Sequence, residues 1–329
     1  MTGTSAMTDR YARQIVMPEI GPQGQALLAR SAILVVGAGG LGCPVLQYLS
    51  GAGIGRLVLV DPDRVQASNL HRQPLYRMSD VGRLKVDAAA DALTAYNPEV
   101  AIAAFALRLA PDNVAELVAQ ADIVVDAADS FAATYVLSDA CREAGKPLVS
   151  ASIVGFAGYV GAFCGRAPSY RAVFPEMPMQ AADCATAGVL GPAVATIGLL
   201  QAQMALLLAL ALDPSPLGRL ISFDARRLAF GGFSFAGAPE PTAGSFPFIA
   251  PSQLMADDIV VELRGVEEAP AAVAPDAIRL TVEEIGHLPL DQLDARRLVL
   301  CCRSGMRAAR AAARLTARGA RNLALMAVG

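Results

Sequence analysis

The stretch Ala32-Ile-Leu-Val-Val36-Gly37-Ala-Gly39-Gly40-Leu-Gly42, followed by the apolar run Leu57 to Val60 and then Asp61, decides the fold of this chain. An apolar strand that runs through a glycine-rich turn into a helix aims the helix-terminal amides at phosphates. An acidic residue ending the next strand accepts hydrogen bonds from ribose hydroxyls. Nucleotide binding is the first inference, and many dehydrogenases share it. The residues that follow narrow it: Asn69, Arg72, Gln73 and Lys85 add two cations and two amides just beyond the ribose position. They suit a triphosphate better than a dinucleotide.

Outward from this stretch, apolar and helical segments alternate. Strands are expected at Ala32 to Val36, Leu57 to Val60, Val100 to Ala106 and Ile123 to Asp126, and helices at Leu41 to Ala52, Lys85 to Tyr96, Pro111 to Ala119 and Ala132 to Ala144. Tyr11 to Arg30 reads as a helical lead-in. Such alternation specifies an α/β fold, a Rossmann-like and mainly parallel sheet covered on both faces. A further strand at Lys146 to Ser150 and the glycine-rich Gly155 to Gly165 predict an antiparallel extension. Ligands in such sheets bind beyond the carboxyl ends of the strands, where Asp61 and Asp129 both fall. Asp129 is therefore expected to meet the nucleotide through a magnesium ion, with Asp126 capping or buttressing the turn.

Composition sets outer limits. The chain has 329 residues, 54% of them hydrophobic, enough for one large or two modest domains with an ample core. A net charge of -3 offers no general attraction to nucleic acid or to an anionic membrane. The six cysteines form no CxxC pair or Cys/His cluster, so no zinc site is expected. With no secretory signal at the start, a reducing cytoplasm is the expected setting. The apolar stretch Gly188 to Leu212 is long enough to span a membrane. Pro192, Gly198, Gln201 and Gln203 interrupt it and no basic flank orients it, which favours a buried or dimer-interface helix.

The expected organisation is a nucleotide-binding domain over residues 1–236, a linker over 237–256 rich in Ala, Gly, Pro and Ser, and a small second domain over 257–329 with strands at Ile259 to Leu263 and Leu298 to Leu300. In the second domain Cys302-Arg303-Ser304-Gly305-Met306-Arg307 places a thiol at a strand end, among loop amides and guanidinium groups that favour thiolate. Cys302 is thereby a candidate carrier of sulfur as a persulfide. Adjacent strand residues face opposite sides, so Cys301 is expected to point into the sheet or merely to neighbour the reactive thiol. Arg307, Arg310, Arg314 and Arg318 recur at helical spacing and predict one cationic stripe where an acidic partner docks.

Taken together, Arg10-Tyr-Ala-Arg13-Gln14-Ile15, Pro18-Glu-Ile-Gly21, the glycine turn, Asp61-Pro-Asp63, Ser68-Asn69-Leu-His-Arg72-Gln73, Gly82-Arg-Leu-Lys85, Asp126-Ala-Ala-Asp129, Gly145-Lys-Pro-Leu148 and Cys184-Ala-Thr-Ala-Gly188-Val-Leu-Gly191-Pro192 resemble the ubiquitin-activating-like adenylyltransferases of the ThiF, MoeB and HesA type. The resemblance covers about residues 10–235, and the C-terminal unit is similar to a short, degenerate rhodanese domain. It implies ATP-dependent adenylylation of the C-terminal glycine of a ubiquitin-like sulfur carrier, followed by sulfur transfer to give a thiocarboxylate. Implied too are a homodimer, magnesium on Asp129, and a cysteine desulfurase or other sulfur donor. Arg13, by the same resemblance, reaches the phosphates across the dimer interface. Arg72 and Lys85 stabilise developing phosphate charge, while Gly37, Gly39, Gly40, Gly42, Asp61, Asp63, Asn69 and Gln73 hold the nucleotide. Cys184 matches a crossover-loop cysteine able to form a thioester or acyl disulfide.

The sequence departs from the family pattern at several points. The structural zinc of the family needs two CxxC pairs; Ser169-Tyr-Arg-Ala172 stands at the first, and the second is missing after Phe230, so the antiparallel region is expected to hold by packing alone. Ser130 stands where asparagine is common, and Glu262-Leu-Arg264 replaces Asp-Val-Arg. Competing readings are adenylation of a peptide or other small carboxylate, a non-catalytic carrier-binding protein, and an NAD-dependent oxidoreductase. Against the last stand Arg72 and Lys85, and the lack of a clear histidine proton donor when His71 and His287 are the only histidines.

Overall fold

The computed structural model describes residues 10–178, 188–241, 246–289 and 296–329. The stretch that opens the reading forms β1 (Ala32–Val36) and α3 (Gly42–Ala52), preceded by the short helix α1 (Ala12–Ile15) and by α2 (Gly21–Arg30). β1, β2 (Arg56–Val60) and β4 (Ile123–Asp126) are runs of Val, Ile and Leu buried on both faces, as central parallel strands require. Each fully buried Val or Leu side chain contributes about 1.5–3 kcal/mol over an exposed one. β3 (Ala101–Phe105) closes one edge, and the helices between strands are α4 (Lys85–Tyr96), α5 (Val114–Ala119) and α6 (Phe131–Glu143).

Beyond β5 (Pro147–Val154) the sheet turns antiparallel through β6 (Ala157–Cys164), β7 (Arg219–Asp224) and β8 (Ala229–Ser234), with the order β3-β2-β1-β4-β5-β6-β7-β8. The chain winds from β1 through β2 to β3 on one side and returns to β4 and β5 on the other. That reversal is the switch point where open α/β sheets bind ligands. Val36 is in register with both Val60 and Asp126, so the glycine turn, Asp61 and the loop after Asp126 emerge together.

The apolar stretch becomes α8 (Gly191–Ala209), after the short α7 (Tyr170–Val173). It is long and apolar enough to cross a membrane by composition. Its buried face packs on α3 and β5, and Gln201 donates through Nε2 to the carbonyl of Asp126 at 2.7 Å. The glutamine that breaks the apolar run in sequence is thus a core tie.

A second sheet, all parallel, has the order β10-β9-β11-β12, from β9 (Ile259–Glu262), β10 (Ile278–Arg279), β11 (Leu298–Cys302) and β12 (Leu323–Ala327), with α9 (Met306–Ala317) crossing between the last two. The stretch ahead of it is not loose throughout. Phe248, Ile249 and Ala250 are buried, and Phe248 bridges to Leu325 as Ile249 N–H donates to the Leu325 carbonyl at 2.8 Å. One apolar core, including Tyr135 and Val136 of α6 and Val261, Leu300 and Ala308, runs through both sheets' layers.

Three of the four arginines of the expected stripe hold this unit together rather than standing free, while Arg310 lies 4.0 Å from Glu283. Arg307 donates to the Leu263 carbonyl and pairs with Glu268, Arg314 donates to the Val282 carbonyl at 2.7 Å, and Arg318 to that of Leu288 at 3.0 Å. The antiparallel region, likewise, is held by more than packing. Ser169 donates through N and Oγ to Glu240 at 2.7 and 2.6 Å, and Arg171 forks onto Asp139 while lying 4.7 Å from the Tyr135 ring centre. Among the described residues no group of three or more His, Cys, Asp or Glu could hold a metal ion.

Candidate functional site

Gly37 and Gly42 close the turn by contacts that only hydrogen allows. Gly37 has φ +99°, and a methyl group on it would lie 2.5 Å from the Ala127 carbonyl oxygen; one on Gly42 would lie 2.0 Å from the Gly37 carbonyl oxygen. The turn therefore rests directly on the loop that continues into Asp129. Gly40 carries α8 and Arg72: a methyl there would meet Val194 at 2.7 Å and the stem of Arg72 at 3.5 Å. Gly39 faces Gln73 with room to spare, its nearest neighbour being Nε2 at 3.7 Å.

Asp61 is buried and already structural. Its Oδ2 accepts from Ala38 N–H at 2.7 Å and its Oδ1 from Asp63 N–H at 2.8 Å, so it pins the turn to the end of β2. Burial pushes its pKa above the ordinary carboxylate value, while Lys85 and the two amides pull the other way. Lys85, buried at the start of α4, donates to Asp63 at 2.8 Å and lies 3.9 Å from Asp61. Sequence spacing left this pairing invisible: Lys85 is held by carboxylates just past the end of β2.

Arg72 donates to the Ser68 carbonyl at 3.3 Å and lies 2.9 Å from His71 Nε2. Asn69, half-buried in a short 3-10 turn, accepts from Arg72 N–H through its carbonyl at 3.1 Å. Gln73 is buried and its Oε1 has no hydrogen-bond partner among the described residues, an orphan acceptor beside the glycine turn. An unsatisfied buried polar atom costs free energy unless a ligand or water completes it. The reading missed Tyr76, whose hydroxyl donates to the Ala38 carbonyl at 2.8 Å from under the same turn. No sequence signal marked it.

Asp126 and Asp129 divide the labour. Asp126 is fully buried, its Oδ2 accepting from Thr134 Oγ1 at 2.7 Å and Ser150 Oγ at 2.8 Å and its Oδ1 from Ala128 N–H at 3.2 Å. This is the buttress. Asp129 is exposed and makes no hydrogen bond or ion pair with another described residue. Magnesium is held through one or two protein carboxylates plus phosphate and water oxygens, and of these two aspartates only Asp129 has oxygens free for it. Ser130 caps α6, accepting from Ala133 N–H at 3.5 Å.

Burial raises the Asp126 pKa to about 6, reinforced by the charge of Asp129 and opposed by the Thr134, Ser150 and Ala128 hydrogen bonds. A raised folded-state pKa means that the native protein binds the proton more tightly than the unfolded chain. Stability from this group is present below pH 4 and falls as pH rises toward 6, by about 3 kcal/mol. Asp126→Asn removes the titration, so the stability advantage of the wild type over this variant should shrink by that order between pH 4 and pH 7. Urea unfolding of both proteins at four pH values checks it; a constant difference would contradict the assignment.

Arg13 is exposed on α1, and the nearby Tyr11 packs on Gly53, at the opposite end of α3 from the glycine turn. Cys184 lies outside the described residues, but the helix that follows begins beside the site: a methyl on Gly191 would lie 2.6 Å from the His71 carbonyl oxygen. In the second unit Cys302 is buried, and its Sγ accepts from Gly305 N–H at 3.1 Å and Ala308 N–H at 3.4 Å, a cradle suited to sulfur carrying negative charge. Cys301 points to the opposite face, against Val299 and Met326. A methyl on Gly305 would meet Phe248 at 2.8 Å and Ala132 at 3.4 Å, so this loop leans on the first turn of α6, three residues beyond Asp129. The loop of Cys302 and the loop of Asp129 thus meet at one helix end.

A family model described as "ThiF family" matches residues 11–242. The "SAMP-activating enzyme E1" of Haloferax volcanii is 43% identical over 239 residues, covering 72% of this chain and 88% of that protein. The "Adenylyltransferase and sulfurtransferase MOCS3" of Bos taurus is 48% identical over 221 residues; the match takes in 66% of this chain and about half, 49%, of that longer relative. Among solved structures, E. coli MccB with ATP superposes with a TM-score of 0.60 at 21% identity, over 71% of this chain and 73% of that one, which shows a common fold.

Proposed function

The chain belongs to the ThiF family, and on that premise we propose that it is an ATP-dependent adenylyltransferase for the C-terminal glycine of a ubiquitin-like sulfur carrier, with a rhodanese-like unit that supplies the sulfur. The observation that carries this reading is the convergence at the switch point of the glycine turn, the orphan Gln73 Oε1, Arg72 and the uncommitted carboxylate of Asp129. The names of the two relatives, an E1-type activating enzyme and a combined adenylyltransferase and sulfurtransferase, agree with it.

A carrier carboxylate oxygen attacks the α-phosphorus of ATP and pyrophosphate leaves, giving an acyl-adenylate. Charge builds on phosphate oxygens in that step, so cations placed there stabilise the transition state more than the ground state. Arg72, Lys85 after release from Asp63, and Arg13 from a second copy supply them. Asp129 would hold magnesium, which when bound would supply positive charge against the phosphates. The glycine-turn amides, Asn69 and Gln73 orient the nucleotide. The terminal sulfur of a Cys302 persulfide, charged by a cysteine desulfurase or similar donor, then displaces AMP to form an acyl disulfide. An external thiol acting as reductant attacks Cys302 Sγ, breaking the S–S bond to release the thiocarboxylate and leaving Cys302 in a mixed disulfide with that thiol. Because Cys302 is buried, its loop must open from beneath Phe248 for this transfer. The protein works as a cytoplasmic homodimer without zinc, organised as domains 1–236 and 257–329.

The test incubates candidate ubiquitin-like carriers with magnesium, ATP and a sulfur donor and follows intact mass. An AMP adduct followed by replacement of one oxygen by sulfur is expected. Cys302→Ser should leave the adduct and abolish the sulfur exchange. Carrier binding without any AMP adduct would favour a non-catalytic protein, and adduct formation only on short peptides would move the substrate to a small carboxylate.

A further inference from the structure

The four-residue helix α1 is too short to hold itself in water, yet it is fixed at both ends. At one end Tyr11 is buried with its ring over Gly53, where a methyl would lie 2.7 Å from Cζ. Its hydroxyl donates to Glu99 Oε2 at 2.9 Å and accepts from Asn97 Nδ2 at 2.8 Å, and the same Asn97 Nδ2 donates to the Ser50 carbonyl at 2.7 Å. At the other end Gln14 Nε2 donates to Gln25 Oε1 at 2.8 Å and to the Ala52 carbonyl at 3.1 Å, while Gln25 Nε2 donates to that carbonyl at 3.0 Å. Between these anchors the Arg13 side chain is exposed and makes no hydrogen bond or ion pair with a described residue.

The anchors sit at residues 50–53, the C-terminal end of α3, whereas the glycine turn lies at its N-terminal end. Eleven helical residues separate them by about 16 Å, more than one arginine side chain spans. Five side chains, those of Tyr11, Gln14, Gln25, Asn97 and Glu99, are therefore committed to presenting a cation that its own nucleotide site cannot use.

We propose that Tyr11, with Asn97 and Glu99, and Gln14, with Gln25, are positioning residues that hold Arg13 for the triphosphate bound by a second copy of the chain. This rests on the reading of Arg13 as a phosphate-contacting residue in trans. Fixing the short helix before the partner arrives removes the entropy of ordering it at each turnover.

Binding of magnesium-ATP, measured by titration calorimetry, tests the proposal without a carrier. Arg13→Ala should weaken ATP binding roughly tenfold or more, the loss of a charge-assisted contact. The pair Tyr11→Phe and Gln14→Leu keeps the packing and should weaken it severalfold, and should add nothing when combined with Arg13→Ala. Heterodimers of the Tyr11→Phe/Gln14→Leu chain with an Asp129→Ala chain, purified on two tags, should regain one site of wild-type affinity, because that site receives Arg13 from an intact helix. Further loss in the triple variant, or no recovery in the heterodimer, would overturn the positioning role while leaving Arg13 in place. Wild-type affinity in Arg13→Ala, or tagged chains that never co-purify, would overturn the trans reading itself.

Discussion

Replacing Asp129 by alanine is expected to lower carrier-dependent AMP formation on the order of a hundredfold to a thousandfold while leaving the fold intact. The size follows from removing a fixed ligand for charge that appears only as the α-phosphorus is attacked. The intact fold follows from geometry: the carboxylate is exposed and bonds to no described residue, so its loss leaves no buried group unsatisfied. Stability should stay within about 0.5 kcal/mol of wild type. Asp126, three residues earlier, is the natural contrast, because its carboxylate ties Thr134, Ser150 and Ala128 together. Paired thermal unfolding and AMP-release assays check the point. An Asp129→Ala enzyme that turns over within threefold of wild type would remove magnesium placement from the mechanism.

Gly42→Ala is the second large effect, and it acts through the backbone. The added methyl would sit 2.0 Å from the Gly37 carbonyl oxygen, and Gly37 is held in place because its N–H donates to the Val60 carbonyl at 2.8 Å and the space on its side-chain face is filled by the Ala127 carbonyl, 2.5 Å from where a methyl on it would lie. A side chain could rotate away; a carbonyl locked between two strands cannot. The turn must distort, at a cost of about 3 kcal/mol or more, and ATP binding should fall with it. Gly39→Ala is the control, since its methyl would meet nothing closer than Gln73 Nε2 at 3.7 Å. Melting temperature and ATP affinity for both variants decide the matter. Equal behaviour of the two would show that the turn is not the rigid cradle described.

How much of this was legible beforehand depends on the range of the contact. The strands Ala32–Val36 and Ile123–Asp126 were readable because a short run of β-branched and leucine residues bounded by glycine or aspartate has few other outcomes. The parallel order and antiparallel extension followed from the alternation. Asp129 could be placed near the glycine turn because both end adjacent parallel strands. What could not be read were side-chain pairings set by tertiary approach. Lys85 reads as a free phosphate cation and is held by Asp63; Arg307, Arg314 and Arg318 read as part of a docking stripe and are bonded to carbonyls of Leu263, Val282 and Leu288. A helical period gives the face of a helix but not what covers it. Gln201 shows the same limit: a flaw in an apolar run becomes a tie between α8 and β4 only when residues 75 apart in sequence meet.

Exchange of labelled pyrophosphate into ATP, with and without a ubiquitin-like carrier, tests the central claim most directly, since it reports reversible attack at the α-phosphorus and nothing later. The account predicts exchange that requires the carrier and disappears when its terminal glycine is deleted. Absence of exchange with every carrier and peptide tried, together with saturable binding of a nicotinamide dinucleotide in the same pocket, would contradict it.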